Sequence, residues 1–438
     1  MDVLNDPMTQ KKLGAFYTPP AYAKKAVELV KQAIDRVPDG NDCVIIDRCA
    51  GTGNLEMYFD DADEDILSHV IVSTYELKEW MVLKDRYNGR VRYIIPPVPA
   101  NPNDLPSLNE EGFLSGANAL TRDIIDNPEV RKYLDDPKCT IILFENPPYI
   151  EIKAGGEHNQ KTEDFMKQGM KDEGCGKAVN DIANIFIWSA FKYFLRQPTD
   201  SYVVFSPIKY WKAQNLINKK FLNGFAFNRV HFHAKTEALI SVILWSNEDD
   251  KITESLILNA FNLDANHQLL NEGPVSINKI HSLLSEKYYD YRPFVDDTED
   301  GIVCDDNGLE LNKDVGVRQK SIFNDNIIAH LTAETSGFDL PRRTSKLVRC
   351  GNYCANGFYL RSDNFVEKLL LLAAGKYTDH YNNWKVMSCV MKSGDKAKDY
   401  YADVVSGKLN DFLCKTLIWA CFTHYAHLRS LIGSDNRY

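Results

Sequence analysis

At 438 residues the chain is long enough for two or three domains with real cores, and 44% hydrophobic with 26% charged residues describes an ordinary globular protein. No apolar run approaches transmembrane length, and the opening stretch M-D-V-L-N-D-P-M-T-Q lacks a signal peptide's basic and apolar regions, so neither a membrane span nor secretion is expected. The net charge of −10 argues mildly against nucleic acid, and ten cysteines without framework spacing read as free thiols in a reducing compartment; the one close pair, Cys350 and Cys354, has no second pair at zinc-site spacing, so no metal is expected.

In chain order, Pro20–Arg36 has helical spacing, with Ala23, Ala26, Val27, Val30 and Ile34 on one stripe. A P-D-G-N turn leads into a short buried strand at Val44–Asp47. Val70–Tyr75 reads as the next strand and Lys78–Tyr87 as the helix after it, followed by a Pro- and Asn-rich surface excursion over Pro96–Pro106. Thr140–Glu145 is short, β-branched and continuous, as a strand buried on both faces of a parallel sheet should be. The polar, glycine-bearing stretch Glu151–Lys177 predicts a loop, and Asp181–Arg196 an aromatic-rich helix capped by Asn180 or Asp181. Ser201–Phe205, Arg229–Phe232 and Leu239–Trp245 predict three more strands, the last two forming a hairpin. Strands alternating with helices up to residue 246 predict a doubly wound α/β domain over 1–246, with a second domain over 247–438.

Charge is segregated along the chain. Residues 201–236 carry Lys209, Lys212, Lys219, Lys220, Arg229 and Lys235 with no acid, residues 342–398 carry 11 bases and 4 acids, and residues 286–314 carry 10 acids and 3 bases. An acidic protein can hold a basic groove in this way, although solvated faces of mixed sign are as good a reading from charge alone.

Two stretches carry chemistry. In V-I-I-D-R-C-A-G-T-G-N-L (44–55), Gly51 and Gly53 follow a strand directly and let backbone approach a ligand, with Asp47 at the strand end. Glu76, ending the following strand, suits a two-point grip on ribose hydroxyls. In I-I-L-F-E-N-P-P-Y-I (141–150), two prolines lock successive φ angles and stop the strand, which leaves an amide, a free carbonyl and an aromatic ring as a rigid bracket. Such a bracket can accept two hydrogen bonds from an exocyclic amino group and stack on the ring that carries it.

These motifs resemble those of the DNA N6-adenine methyltransferases that depend on S-adenosylmethionine, in the motif order of the gamma group, over roughly residues 11–246. G-A-F-Y-T-P-P (14–20) resembles the segment that closes over the methionine end of the cofactor, D-R-C-A-G-T-G-N (47–54) the cofactor loop, and N-P-P-Y (146–149) the catalytic motif. Arg48 stands where the family usually has proline. The resemblance implies a Rossmann-like methyltransferase sheet with a C-terminal α+β target-recognition domain. It implies S-adenosylmethionine held by Phe16, Tyr17, Thr18, Pro19, Asp47, Ala50, Gly51, Thr52, Gly53, Glu76, Asn118 and Asn146, with Asp123 near the Asn118 position. Asn146, Pro147, Pro148 and Tyr149 would be catalytic, with the extruded base stacked between Tyr149 and Phe232, His233 in reserve. Lys209, Lys219, Lys220, Arg342 and Arg343 would grip the backbone of double-stranded DNA. A cognate restriction enzyme is a candidate partner, and the implied setting is the cytoplasm of a prokaryote or phage host. Two alternatives share the motifs: a protein-glutamine N5-methyltransferase, whose acceptor is also a planar amide, and a non-catalytic DNA-binding subunit on the same scaffold.

Overall fold

The computed structural model describes residues 18–59, 64–97, 116–149, 165–232 and 237–279, with short pieces between 302 and 414. Helix α1 (Pro20–Ile34) opens on a proline in its first turn, where a missing N–H costs nothing, and buries Tyr22, Ala23, Ala26, Val27, Val30 and Ala33 along one stripe. Strand β1 (Asp42–Asp47) follows, then short α2 (Glu64–Ser68), β2 (Val70–Val72), α3 (Leu77–Tyr87), β3 (Tyr93–Ile94) and α4 (Pro128–Leu134). Strand β4 (Cys139–Glu145) is buried at every position, as its unbroken apolar run predicts. Next come α5 (Phe165–Asp172), α6 (Ile182–Ser189), β5 (Ser201–Ser206), one-turn α7 (Lys209–Lys212), β6 (Lys219–Asn228), β7 (Leu239–Asp249), β8 (Ser255–Leu263) and β9 (Leu269–Asn278).

These nine strands form one sheet in the order β3-β2-β1-β4-β5-β7-β6-β8-β9. Strands β1 to β5 are parallel, and β7 runs antiparallel to both β5 and β6. The first seven strands thus make the Rossmann-like sheet, doubly wound about its centre. On one face α1 joins a core with Ile45, Ile142, Phe144, Val203 and Phe205. On the other, Tyr202 rests edge-on against Phe191, in the π-turn that closes α6. The chain leaves β1 toward β2 and returns to β4 on the opposite side, so the order reverses between β1 and β4. Open α/β sheets place ligands beyond the carboxyl ends of the strands at such a point.

Several expectations are corrected. Arg229–Phe232 is a 3₁₀ turn rather than a strand; the strand pairing with β7 is β6, which ends at Asn228. Within the loop expected over 151–177, Phe165–Asp172 is helical, burying Met166 and Met170. The second-domain boundary expected at 246/247 falls inside β7, and the compact unit holding the sheet runs to Ile277. The physical reason is that β8 and β9 extend the same sheet beyond β6 without intervening helices, so helix–strand alternation stops before the sheet does. The excursion at 96–106 lies, from residue 98, outside the described residues. The second unit, Asn278–Tyr438, includes Ile302–Cys304 between Glu310–Leu311 and Ile322–Phe323, and Ala329–Ala333 between Lys346–Val348 and Asn356–Leu360, both antiparallel.

Candidate active site

The glycine turn is built at the end of β1. The Ala50 N–H donates to the Ser73 carbonyl at 2.8 Å, and the Ser73 N–H to the Asp47 carbonyl at 2.9 Å, tying the turn to the end of β2. Asp47 Oδ1 accepts the Cys49 N–H at 2.7 Å. Helix α3 fixes the far side: Arg86 donates to the Thr52 carbonyl at 2.9 Å and the Tyr87 hydroxyl to the Gly53 carbonyl at 2.7 Å.

The two glycines do different jobs. Gly51, at φ +58°, has room for a Cβ, which would touch only the Glu79 carboxyl in ordinary contact at 3.9 Å. Gly53, at φ +80°, is packed, because a Cβ would lie 2.2 Å from the Tyr87 ring. Only Gly51 therefore offers a cradle for a ligand, and Gly53 serves helix-to-loop packing.

The cradle is acidic. Asp47 and Glu56 lie side by side, 1% and 0% exposed, and among the described residues only the Glu56 N–H and the partner carboxyl, once protonated, serve Asp47 Oδ2 and the Glu56 oxygens. Burial, then the neighbouring Glu56 and Glu145 carboxylates, push Asp47 well above the usual carboxylate range. Burial pushes Glu56 up to about 7, against its own backbone N–H, the Asp47 side chain and Arg86, which lower it. Two buried, raised carboxyls at the end of β1 and just after the glycine turn fit a cationic ligand. Glu79, also buried, faces Gly51 and accepts from the Thr74 hydroxyl at 2.8 Å. Glu76 is half-buried at the N-cap position of α3 but caps no N–H.

The segment bearing Asn118 sits on the end of β2. Gly116 donates to the Tyr75 carbonyl at 2.6 Å, and its missing Cβ would strike the Thr74 carbonyl at 1.9 Å. Asn118 Oδ1 accepts the Leu120 N–H and the Asn118 N–H donates to Asp123, both at 2.9 Å. Its acceptor oxygen thus supports the turn, and Asp123 shapes the loop.

At the end of β4, Asn146 is held from two sides. Its Nδ2 donates to Thr18 Oγ1 at 2.9 Å, which brings the residues before α1 to the bracket, and its Oδ1 accepts the Tyr149 hydroxyl at 2.6 Å. Burial, then Cys49, Tyr210 and Asp181, raise the Tyr149 phenol well above the ordinary tyrosine range, so it stays a donor. The Tyr149 and Phe232 ring centroids are 6.0 Å apart at 46°, a direct contact with no room for a base between them. Phe232 is 1% exposed and lies edge-on to Phe227.

Of the basic residues expected to meet DNA, Lys209 pairs with Asp181 at 2.5 Å, Lys219 with Asp249 at 2.9 Å and Lys220 with Glu248 at 2.8 Å. The stretch 201–236 has no acid of its own, but the fold supplies them from neighbouring elements. Phe16, Tyr17, His233, Arg342 and Arg343 lie outside the described residues. Among the described residues no group of three His, Cys, Asp or Glu could hold a metal, and no helix is long and apolar enough to cross a membrane.

Sequence reasoning missed Glu56, Glu79 and Glu145. Glu145 had a signal: a carboxylate ending an otherwise apolar buried strand requires a counter-charge, and Arg48 is a base in an equally buried position. Glu56 and Glu79 had none, since a lone acid in a polar turn or helix reads as solvated.

No protein-family model matches the chain, and no curated protein matches it. Among solved structures, the type IIG restriction endonuclease BpuSI is 17% identical, with a TM-score of 0.36, over 58% of this chain and 28% of its own. The methyltransferase subunit of a type I restriction-modification system from Streptococcus thermophilus is 14% identical, with a TM-score of 0.36, over 58% of this chain and 49% of its own. A nuclease-deletion mutant of the type ISP restriction-modification enzyme LlaGI, in complex with a DNA substrate mimic, is 11% identical, with a TM-score of 0.40, over 67% of this chain and 34% of its own. The chain thus spans between 28% and 49% of the length of these proteins. The fold assignment stands on the strand order, not on these likenesses.

Proposed function

We propose that the protein transfers a methyl group from S-adenosylmethionine to the N6 amino group of an adenine extruded from double-stranded DNA. One observation carries the reading: the open Gly51 turn and the Asn146-Pro147-Pro148-Tyr149 bracket leave the carboxyl ends of adjacent strands, β1 and β4, where the strand order reverses. When bound, S-adenosylmethionine supplies an electrophilic methyl on a sulfonium. The buried carboxyls of Asp47 and Glu56 would hold its ammonium group, and Glu76 and Glu79 would take the ribose hydroxyls.

The amino group is a poor nucleophile while conjugated with the ring. Asn146 Oδ1 and the Pro147 carbonyl accept its two hydrogens and draw the nitrogen toward tetrahedral geometry, so the acceleration comes from placement and electrostatics. Asn146 Oδ1 exchanges the Tyr149 hydroxyl for the incoming N–H, and the Tyr149 ring moves off Phe232 to stack on the base. Extrusion costs a few kcal/mol of unstacking. Target choice belongs to Asn278–Tyr438, the unit that contains the basic run 342–398.

The test is transfer of tritiated methyl from S-adenosylmethionine to genomic DNA from a host without adenine methylation, followed by digestion to nucleosides. Label in N6-methyldeoxyadenosine is expected. Label in cytosine, in protein glutamine or nowhere refutes the assignment.

A further inference from the structure

The parallel ladder between β1 and β4 ends at Ile46↔Leu143. Continuing that register by two residues sets Arg48 opposite Glu145, and there side chains take over from the backbone. Arg48 Nε donates to Glu145 Oε1 at 2.5 Å and Nη2 to Oε2 at 2.9 Å, a planar two-point pair with both side chains 0% exposed. The remaining donors are placed as firmly: Nη1 on Ser189 Oγ at 2.8 Å and Nη2 also on the Phe186 carbonyl at 2.9 Å. The rings of Phe194 and Phe186 lie 4.6 and 5.2 Å from the guanidinium carbon. Glu145 Oε2 accepts the Tyr202 hydroxyl at 2.7 Å, and Oε1 faces the Arg48 N–H at 3.3 Å. Burial opposes the guanidinium charge, yet Glu145 beside it raises Arg48 above its ordinary value.

A buried ion pair adds little net stability over apolar residues of the same volume, so stability alone does not account for one here. What it adds is geometry. Two fork-shaped bonds fix both distance and orientation between the chains they join, whereas apolar side chains slide. Arg48 sits three residues before Gly51 at the glycine turn, and Glu145 directly precedes Asn146. We infer that Arg48 and Glu145 are a positioning pair that sets the spacing between the cofactor turn and the Asn146 amide. The pair therefore governs the rate of methyl transfer rather than affinity for the cofactor. The inference rests on the functional reading above.

The test compares wild type with Arg48→Met/Glu145→Leu, which removes both charges at similar volume, and with Tyr202→Phe, which removes one tether and leaves the pair. Each is measured for thermal melting, for S-adenosylmethionine affinity by calorimetry, and for single-turnover methyl transfer to the same genomic DNA. The double variant should melt cooperatively and bind cofactor within about three-fold of wild type while transferring about 100-fold more slowly, the cost typical of an ångström-scale misplacement. Tyr202→Phe should fall between the two in rate at unchanged cofactor affinity. If the double variant folds and transfers at the wild-type rate, or loses cofactor affinity in proportion to rate, the pair does not set the spacing. Should it fail to fold, Tyr202→Phe decides: a slower rate at unchanged affinity and melting supports the inference, and an unchanged rate overturns it. A wild type that transfers no methyl group overturns the functional reading and this inference with it; an active wild type matched by its variants overturns the inference alone.

Discussion

Replacing Glu56 by glutamine should stabilise the ligand-free protein at alkaline pH and remove a proton from the cofactor-binding reaction. Glu56 is fully buried beside Asp47, and burial pushes its carboxyl from 4.5 to about 7. A raised carboxyl binds its proton more tightly in the folded than in the unfolded state, so stability falls as pH rises from the unfolded value toward the folded one. Below pH 4.5 Glu56 contributes nothing, because both states are protonated; above about 7 the full cost is present. The shift from 4.5 to about 7 corresponds to about 3 kcal/mol. The groups facing Glu56 are its own N–H, Asp47, which is itself raised and hydrogen-bonds to Glu56, and Arg86; the two carboxyls titrate together. Melting temperatures of wild type and Glu56→Gln should coincide near pH 5 and diverge by several degrees by pH 8, the variant being the more stable. A cationic ligand displaces the shared proton. Calorimetry in two buffers of different ionisation enthalpy near pH 6.5 should therefore show proton release for wild type and less for the variant, where Asp47 alone, still raised by burial, has a proton to lose. Parallel melting curves across that range would refute the burial argument, and cofactor binding without proton release would move the cationic group elsewhere.

Asn146→Ala should abolish methyl transfer while cofactor affinity stays within a few-fold, because the amide's partners are Thr18 and Tyr149 rather than the glycine turn; an active variant removes Asn146 from the chemistry. Gly53→Ala, placing a Cβ 2.2 Å from the Tyr87 ring at φ +80°, should cost about 2–5 kcal/mol in denaturant unfolding. Gly51→Ala, whose Cβ would meet only the Glu79 carboxyl in ordinary contact, should cost only about 1–2 kcal/mol of strain yet weaken cofactor binding ten-fold or more, and normal binding there would show that the ligand does not use this face. Replacing Lys219 and Lys220 together with alanine should leave the salt dependence of DNA affinity nearly unchanged, since Asp249 and Glu248 already neutralise them; a loss of about one unit of log–log slope per lysine would place both on phosphates.

What was legible in the sequence follows from the range of the interactions involved. The strand at 139–145 and the bracket after it could be read locally, because an unbroken apolar run and two prolines each constrain the backbone within a few residues. Helix α1 was legible for the same reason, its stripe repeating at helical spacing. Phe232 was not, because whether a ring near a strand end faces a ligand or the core depends on Phe227 and Tyr149, and only the fold brings these together. The lysines of 201–236 show the same limit: a window without acids says nothing about Asp249, which pairs with Lys219 across the β6–β7 hairpin.

Arg48 and Glu145 lie between these limits. Each is visible alone as a charge where a buried position is expected, and the cost of burying an unpaired charge says that each must have a partner. The partner's identity needs the register of β1 against β4, which no local pattern prints. Yet once parallel neighbours are assumed, the charged position closing one strand and the oppositely charged position one residue past the other are natural mates. A buried charge beside a ligand-binding motif is thus a constraint on strand pairing as well as a hint of function. Here it would have predicted that the glycine turn and the N-P-P-Y bracket share one strand boundary, which is the contact the chemistry requires.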